Sequence, residues 1–412
     1  MQSRTNITLY KSERLCYNII ERWQCRKKPR GHGNGEYEMK VVIAIDSFKG
    51  SLTSLEAGDA VKKAILRRDR AADVVVRPLA DGGEGTVEAM SAGLGGATVE
   101  ATVRGPLGEP VRAKYCIVNG ATAVIEMAEA AGLPLVPAEK RDPMNTTTYG
   151  VGELIRDAVS RGCRSFIVGI GGSATNDGGV GMLSALGFEF FDKDGNVISE
   201  GAKGLEKLDS ISVKNAVPEL SECTFRIACD VTNPLCGESG CSAVYGPQKG
   251  ATPKTVELMD AWLSEYAKTA KGVFPNADPE YPGAGAAGGL GFAFMTFLGA
   301  SLESGIKIIL EETKLESYIE NTDIVVTGEG RLDGQTVMGK APIGVARLAK
   351  KHGKRVIAFS GCVTEDAEEC NKHGIDAFFP IVRGITTLDE ALKKENALKN
   401  LEAAAYQVFG LI

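Results

Sequence analysis

The clearest hydrophobic pattern in the chain begins just after residue 39, where Val41–Ile45 forms a continuous and mostly β-branched apolar run. A run of this kind predicts a strand that is buried on both faces, as in a parallel sheet. Thr53 and Glu56 follow with the spacing of a capping box, so a helix is predicted to begin there. We expect its apolar face to contain Leu55, Val61, Ala64 and Ile65. The folded part of the chain therefore opens with a strand, a polar loop and a helix.

The pattern of apolar residues changes near residue 97 and changes back near residue 290. A second strand is predicted over Asp73–Leu79, with a helix after it. From residue 97 the pattern alternates between apolar and polar positions, and Asn119-Gly120 lies between two apolar runs, which is a strong hairpin signal. Strand and helix patterns alternate again after residue 290, and Thr387 and Glu390 have the spacing of a further capping box.

These changes predict an α/β protein with a parallel-sheet domain built from both ends of the chain. We assign residues 39–96 and 290–412 to a Rossmann-like or flavodoxin-like domain and residues 97–289 to an inserted mixed α/β domain. Residues 1–38 differ in composition and are predicted to be a poorly ordered extension. The active site is expected in the cleft between the two domains.

The composition and charge of the chain argue against several classes of binding partner. The 412 residues carry a net charge of −6 without a basic stripe, which argues against nucleic acid or an anionic membrane surface as the partner. The longest apolar stretch, residues 288–302, is interrupted by glycines and is too short to span a membrane. Ten cysteines form no CxxC pair and match no zinc pattern. We therefore expect a cytoplasmic protein that binds small molecules.

Glycines and acidic residues recur in the segments that directly follow predicted strands, where ligands bind in open parallel sheets. Glycines allow backbone amides to approach an anion closely, and a following helix N-terminus adds a favourable partial charge. Carboxylates can bind magnesium or accept a hydroxyl proton, although such sequences are also ordinary turn material. The segments are residues 46–51, 81–86, 171–179, 230–234, 246–250 and 327–333. Cations that can neutralise a phosphate or a carboxylate are Lys49, Lys249, Arg331 and Lys340.

Two familiar nucleotide-binding motifs are imitated but not reproduced. Gly334–Lys340 fits the first seven positions of a P-loop, but Ala341 lacks the hydroxyl that would hold magnesium, and the preceding strand ends too early. The G-x-G-x-x-G at Gly283–Gly288 follows Tyr281-Pro282 rather than a strand. A nicotinamide-dependent oxidoreductase is disfavoured because its glycine fingerprint is missing after Ile45.

Taken together, the motifs resemble the bacterial glycerate kinase family of the two-domain α/β type. The resemblance runs from Met39 nearly to the C-terminus. It is carried by AIDSFKGSLTS, PLADGGEGT, GIGGSATNDGGVGM, CDVTNPLCG, GPQKGA, GAAGGLGF and VVTGEGRLDGQTVMGKAP. The resemblance implies transfer of the ATP γ-phosphoryl to D-glycerate with Mg²⁺, usually giving 2-phospho-D-glycerate. A kinase forming the 3-phosphate and a non-catalytic protein that binds a small acid stay open as alternatives, and no oligomeric state is predicted.

Phosphoryl transfer needs positioning and charge neutralisation, and this requirement orders the candidate residues by role. The expected catalytic residues are Asp230, Asp333 and Lys49. The expected substrate ligands are Ser173, Thr175, Asn176 and Arg331. Phosphate or nucleotide contacts are expected from Ser47, Gly82, Gly83, Gly85, Gly171, Gly172, Gly328 and Gly330. Metal ligands are expected among Asp46, Asp81 and Glu84.

Overall fold

Two large β-sheets, each covered by helices, organise the described part of the protein, and a third sheet has only two strands, Glu189–Phe191 and Ser210–Ser212. The structure is a computed structural model that describes residues 38–80, 82–83 and 85–412. Met39–Ile412 forms one compact unit. The predicted extension lies outside the described residues except for Glu38, and Asp81 and Glu84 also lie outside them.

The secondary structure consists of short strands and helices. The strands are β1 Lys40–Ile43, β2 Asp73–Val76, β3 Ala97–Arg104, β4 Pro110–Val118, β5 Thr122–Glu126, β6 Ser165–Gly169, β7 Glu189–Phe191, β8 Ser210–Ser212, β9 Thr224–Ala228, β10 Ser301–Glu303, β11 Ile324–Leu332, β12 Arg355–Val363 and β13 Ala377–Pro380. The helices are α1 Ser54–Arg68, α2 Thr86–Leu94, α3 Ala128–Ala131, α4 Tyr149–Ser160, α5 Val180–Ala185, α6 Cys241–Tyr245, α7 Pro253–Val273, α8 Ala286–Leu298, α9 Gly305–Glu312, α10 Leu315–Glu320, α11 Ala341–Lys351, α12 Glu369–Lys372, α13 Leu388–Leu392 and α14 Lys394–Val408. Within the described ranges, no helix combines the length and the apolar character required to cross a membrane.

The first sheet is parallel, with strand order β13-β12-β11-β1-β2. The apolar run that begins at Val41 is buried on both faces because successive side chains point to opposite sides of the strand. Val42 and Ala44 pack in one core with α9 and α11, whereas Val41 and Ile43 pack in the other with α1 and α14. The predicted doubly covered parallel sheet is confirmed.

The second sheet is mixed, with strand order β10-β9-β6-β5-β4-β3. Strands β3, β4 and β5 pair antiparallel, and β5, β6, β9 and β10 pair parallel. Asn119 and Gly120 have φ values of 51° and 72° between β4 and β5, which confirms the predicted hairpin turn. Strand β10 lies beyond the predicted boundary at residue 290, so a boundary that separates the two sheets must follow Glu303.

The start of α1 confirms one prediction and corrects another. Thr53 and Glu56 form the expected capping box, with each side chain bonded to the other residue's backbone amide. Val61, Ala64 and Ile65 are buried as expected, but Leu55 is 37% exposed. Leu55 belongs to the first turn, where it faces a cavity instead of the core.

Candidate active site

The carboxyl ends of strands β1 and β11 bring two of the predicted segments together. The Asp46 amide donates to the Gly328 carbonyl at 2.9 Å. Gly330 passes so close to the backbone at Lys49 that a Cβ on Gly330 would lie 3.5 Å from the Lys49 nitrogen. The segment after β1 is therefore held against β11 by backbone contacts.

Gly82 lies where the segment after β2 meets the second sheet. It has φ +89°, and a Cβ there would lie 2.6 Å from the Ala228 Cβ and 2.8 Å from the Gly305 Cα. A Cβ on Gly169 would in turn lie 2.3 Å from the Gly82 carbonyl oxygen. Because only glycine permits both the conformation and the approach, this contact brings the strand ends of the two sheets together.

The cavity at this junction is called cavity 2, to distinguish it from the neighbouring cavity 1 described below. It has a volume of about 710 Å³, within the usual range for small-molecule sites. The segments that follow β2, β6 and β9 supply much of its wall. The predicted residues that line it are Lys49, Gly82, Gly83, Gly171, Gly172, Ser173 and Asp230. Seven of the predicted site residues, from four separate segments, are thus brought to one cavity.

A neighbouring cavity of about 710 Å³, cavity 1, lies between the segment after β1 and helix α2. Ser47, Lys49 and Gly85 are the predicted residues in its wall. Its apolar lining includes Leu52, Leu55, Pro78, Leu79, Val87 and Ala92. Lys49, Glu126 and Glu129 line both cavities, so Lys49 stands at the place where the two spaces adjoin.

The Gly171–Gly179 segment is fixed by backbone hydrogen bonds on both sides. The Leu133 amide donates to the Gly172 carbonyl at 2.8 Å, and the Ala174 amide donates to the Ala131 carbonyl at 2.9 Å. On the other side, the Gly178 amide donates to the Gly288 carbonyl at 2.9 Å. A Cβ on Gly288 would lie 2.2 Å from the Thr175 carbonyl oxygen, so the glycines after Tyr281 provide close packing against this segment.

Asp177 stabilises the Gly171–Gly179 segment through hydrogen bonds to its buried carboxylate. Its carboxylate is completely buried and accepts hydrogen bonds from the Thr148 amide and hydroxyl, both at 2.8 Å, and from the amides of Gly179 and Gly181, both at 3.2 Å. Burial raises the pKa of Asp177 above its ordinary value, and these hydrogen bonds oppose the increase. Sequence reasoning gave Asp177 no role of its own, although it lies within a motif that was singled out.

Lys249 is the buried cation of cavity 2. Its side chain is 2% exposed, and Nζ donates to Ser173 Oγ at 2.8 Å and to the Thr175 carbonyl at 2.6 Å. Burial lowers the pKa of Lys249 to about 8, while Cys241 and Asp177 act to raise it. The GPQKG motif offered Lys249 only as one cation among four, because the sequence does not show which lysine is buried.

Two of the predicted substrate ligands are buried in the protein and do not line the cavity. Thr175 and Asn176 are both 0% exposed and do not belong to the wall of cavity 2. Asn176 Nδ2 donates to the hydroxyl of Ser242 at 2.8 Å, which ties the segment to helix α6. Of the four predicted substrate ligands, only Ser173 lines the cavity.

The segment after Val326 is a strand, which corrects the loop predicted over residues 327–333. Strand β11 continues to Leu332 and stays paired with β12 as far as Val363. A Cβ on Gly328 would lie 2.0 Å from the Phe359 carbonyl oxygen, and a Cβ on Gly361 would lie 2.6 Å from the Gly330 oxygen. The glycines permit close approach of the two strands, whereas the predicted phosphate contacts of Gly328 and Gly330 stay predictions.

At the end of β11, the lysine of the P-loop-like segment contacts two acids that precede the segment in the sequence. Lys340 Nζ lies 3.5 Å from Asp333 Oδ1 and 3.8 Å from Glu329 Oε2, and the Thr336 hydroxyl donates to Glu329 at 2.8 Å. Burial raises the pKa of Glu329, and Lys340 opposes this increase. Arg331 is largely exposed and lies 3.3 Å from Asp333. Neither Arg331 nor Asp333 lines cavity 1 or cavity 2.

Glu126 is a cavity residue that sequence reasoning missed. It ends strand β5, is 8% exposed and accepts a 2.8 Å hydrogen bond from the Val87 amide in the first turn of α2. The helix N-terminus at Gly85 and Thr86 therefore already has an anionic partner from the second sheet. The available signal was its position at the end of a buried strand, the same signal that identified the glycine segments.

Oxygen donors for a metal ion are dispersed in the described structure. Within residues 38–80, 82–83 and 85–412, no group of three or more His, Cys, Asp or Glu side chains is arranged to hold a metal ion. Asp46 is buried and accepts a hydrogen bond from the Ser47 amide, whereas Asp81 and Glu84 lie outside the described residues. Asp230 presents an exposed carboxylate to cavity 2 and accepts a 3.2 Å hydrogen bond from the Gly305 amide.

Comparison with known proteins agrees with the resemblance of the motifs. A model of the glycerate kinase family matches residues 41–412. The chain is 50% identical to glycerate 2-kinase of Escherichia coli K12, over 86% of this chain and 93% of that protein. It is 48% identical to a glycerate kinase of Haemophilus influenzae, over 90% of this chain and 98% of that protein.

The fold agrees as well. A crystal structure described as glycerate kinase 2 from Salmonella typhimurium LT2 matches with a TM-score of 0.84 and 46% identity, covering 91% of this chain and 98% of that one. This match confirms the predicted α/β class. The chain therefore belongs to the glycerate kinase family and is a kinase.

Proposed function

We propose that this kinase transfers the γ-phosphoryl of ATP to D-glycerate to form 2-phospho-D-glycerate, with the active site between the parallel-sheet and inserted domains. The observation that carries the proposal is that Lys49 lines two adjoining cavities. A phosphoryl donor in one cavity and a small hydroxy acid in the other would meet beside an ammonium group. The name of the Escherichia coli relative supports the 2-position.

In this scheme ATP occupies cavity 1 and glycerate occupies cavity 2. The apolar side chains of cavity 1, including Leu52, Leu55 and Val87, suit the planar base of a nucleotide. Cavity 2 instead offers Ser173, Gly171, Gly172 and Asp230, which suit a small polar acid. Lys49 at the junction would neutralise the charge that develops on the transferring phosphoryl group.

Asp230 is proposed to accept the proton of the attacking hydroxyl or to bind Mg²⁺. Its carboxylate oxygens are the donors that Mg²⁺ prefers, and this ion commonly uses only one or two protein carboxylates together with substrate phosphates. When bound, Mg²⁺ would neutralise phosphate charge. Asp46, Asp81 and Glu84 stay as predicted further ligands. Asp333, Gly328 and Gly330 stay predicted contacts, and none of them lines cavity 1 or cavity 2.

Phosphorus NMR of the protein with magnesium ATP and D-glycerate tests the proposal. We expect a new phosphomonoester signal that requires glycerate and is split by one carbon-bound proton, as a 2-phosphate must be. Splitting by two protons would show the 3-phosphate instead. Ligand binding without product would favour a non-catalytic acid-binding protein.

Replacement of Lys49 or Asp230 tests the site. Lys49→Met and Asp230→Asn should each lower kcat by ~10²-fold or more, because each removes a contact to charge that develops during transfer. Thermal unfolding of both variants should match the parent protein. Turnover close to that of the parent in both variants would remove these residues from the mechanism.

A further inference from the structure

We infer that Lys249 and Ser173 form the subsite that binds the substrate carboxylate, which deepens the proposed function and rests on it. Lys249 combines two properties that rarely occur together. It is 98% buried, and it nevertheless forms part of the wall of cavity 2. Buried ammonium groups are retained in proteins when they have paired or hydrogen-bonded partners.

The number of available hydrogen-bond donors supports this assignment. An ammonium group has three N–H donors, and the Ser173 hydroxyl and the Thr175 carbonyl use two of them. Within the described part of the chain, the third N–H has no recorded acceptor. A ligand oxygen in cavity 2 would complete the set.

Ser173 supplies the second donor because of its bond to Lys249. Its oxygen already accepts a hydrogen bond from Nζ at 2.8 Å, so its own hydrogen is directed elsewhere. No protein acceptor for that hydrogen is recorded among the residues that the structure describes. Two adjacent donors, one of them charged, match the two oxygens of a carboxylate.

The surrounding charge favours a carboxylate over a phosphate group. Asp177 acts to raise the pKa of Lys249 and so partly offsets the charge of its ammonium group. A site with one partly balanced cation suits a monoanion better than a more highly charged phosphate. Lys49, to which the proposed phosphoryl transfer is assigned, lies on another part of the same wall.

The test compares D-glycerate with D-glyceramide, in which a neutral amide replaces the carboxylate. Calorimetry should show that the parent protein prefers glycerate and that Lys249→Met weakens glycerate binding by about 10- to 100-fold while changing glyceramide binding little. Ser173→Ala should weaken glycerate binding in the same selective way but by less. Lys254→Met is the matched control, because Lys254 is exposed in the first turn of α7.

The outcomes separate the inference from the function. If the parent protein phosphorylates glycerate but folded Lys249→Met keeps the parent ratio of glycerate to glyceramide affinity, the inference is wrong and the function stands. If Lys249→Met weakens ATP binding instead, the subsite binds phosphate and the inference is again wrong. If the parent protein neither binds nor phosphorylates glycerate, both proposals fail. Should Lys249→Met not fold, the same ratio measured with Ser173→Ala decides the matter.

Discussion

Two segments of this protein have similar residue compositions but different side-chain contacts. Gly171–Gly179 and Gly328–Lys340 both combine glycines, acids and hydroxyl groups, and each lies near one buried or half-buried lysine. In the first, Lys249 lines a cavity, while Asp177 is satisfied by backbone amides and by the Thr148 hydroxyl. In the second, Lys340 faces Glu329 and Asp333. Composition therefore identifies candidate segments, and the partner of each charge decides what the segment can bind.

The largest expected difference between the segments concerns stability. Asp177→Ala should lower the free energy of unfolding by ~3–5 kcal/mol, because it leaves several buried donors without an acceptor. Asp333→Ala should cost only about 1–2 kcal/mol, since its acceptor bonds lie in a local turn at Gln335 and Thr336. Urea unfolding of both variants measures the difference. Equal losses would show that the two acids have equivalent structural roles.

Substrate binding should separate the two lysines next. Lys340→Met should leave the Kd for D-glycerate within about twofold of the parent value, in contrast to the loss expected for Lys249→Met, because Lys340 is paired with acids outside cavity 2. Calorimetric titration with glycerate measures both values. Equal weakening by the two substitutions would place Lys340 in the substrate site and remove the contrast.

The pH dependence of binding sharpens the same comparison. Burial lowers the pKa of Lys249 to about 8. Its charged form is therefore present below pH 8, and glycerate affinity should fall by roughly tenfold per pH unit above it. Lys340→Met should show the same profile, whereas the affinity for glyceramide should vary little over this range. A flat glycerate profile from pH 7 to 9.5 would contradict the charge assignment.

Other charged groups near Lys249 must be considered in that profile. Asp177 and Cys241 lie close to the ammonium, and burial raises the pKa of Cys241 to about 11, so its thiol remains neutral through this range. Besides Lys249, the side chains of ionisable residues in the wall of cavity 2 are Lys49, Arg112, Glu126, Glu129 and Asp230. Repeating the titration with Lys249→Met identifies any contribution from them.

The smallest expected effect comes from a pair of glycines. A Cβ on Gly171 would lie 3.6 Å from the Gly83 Cα, and a Cβ on Gly330 would lie 3.5 Å from the Lys49 nitrogen, both ordinary contacts. Alanine at either position should therefore fold normally. Gly171→Ala should raise the KM for glycerate by roughly threefold, because a methyl group enters the wall of cavity 2, and Gly330→Ala should leave it unchanged. Steady-state kinetics at saturating ATP distinguishes the two.

The sequence predicted most where local rules decide the structure. The apolar run at Val41, the capping box at Thr53 and the turn at Asn119-Gly120 all formed as predicted, because each depends on residues close together in the chain. The loop predicted over residues 327–333 was wrong because close approach of β11 and β12, a tertiary feature, accounts for the glycines.

Prediction of the site was incomplete for a related reason. The position of residues after strands identified Ser173 and Asp230, which line cavity 2. Position after a strand did not distinguish Ser173 from Thr175 and Asn176 on the same segment. Whether each of these side chains is buried depends on packing by the distant glycines at 283–291. The special position of Lys249 depends on residues more than 70 positions away in sequence, and a single sequence holds no local signal for such a pairing.

The glycine contact at Gly82 has a consequence for how the two sheets can move. Backbone meets backbone there, at Gly169 and Gly305, and the nearest side-chain atom to Gly82 is the Cβ of Ala228. Any methyl group inserted at Gly82 or Gly169 would act as a wedge between the strand ends of the two sheets. Because side chains of both sheets, including Val42, Val118 and Ile167, also pack in one core, we expect the two sheets to resist sliding past each other at this contact.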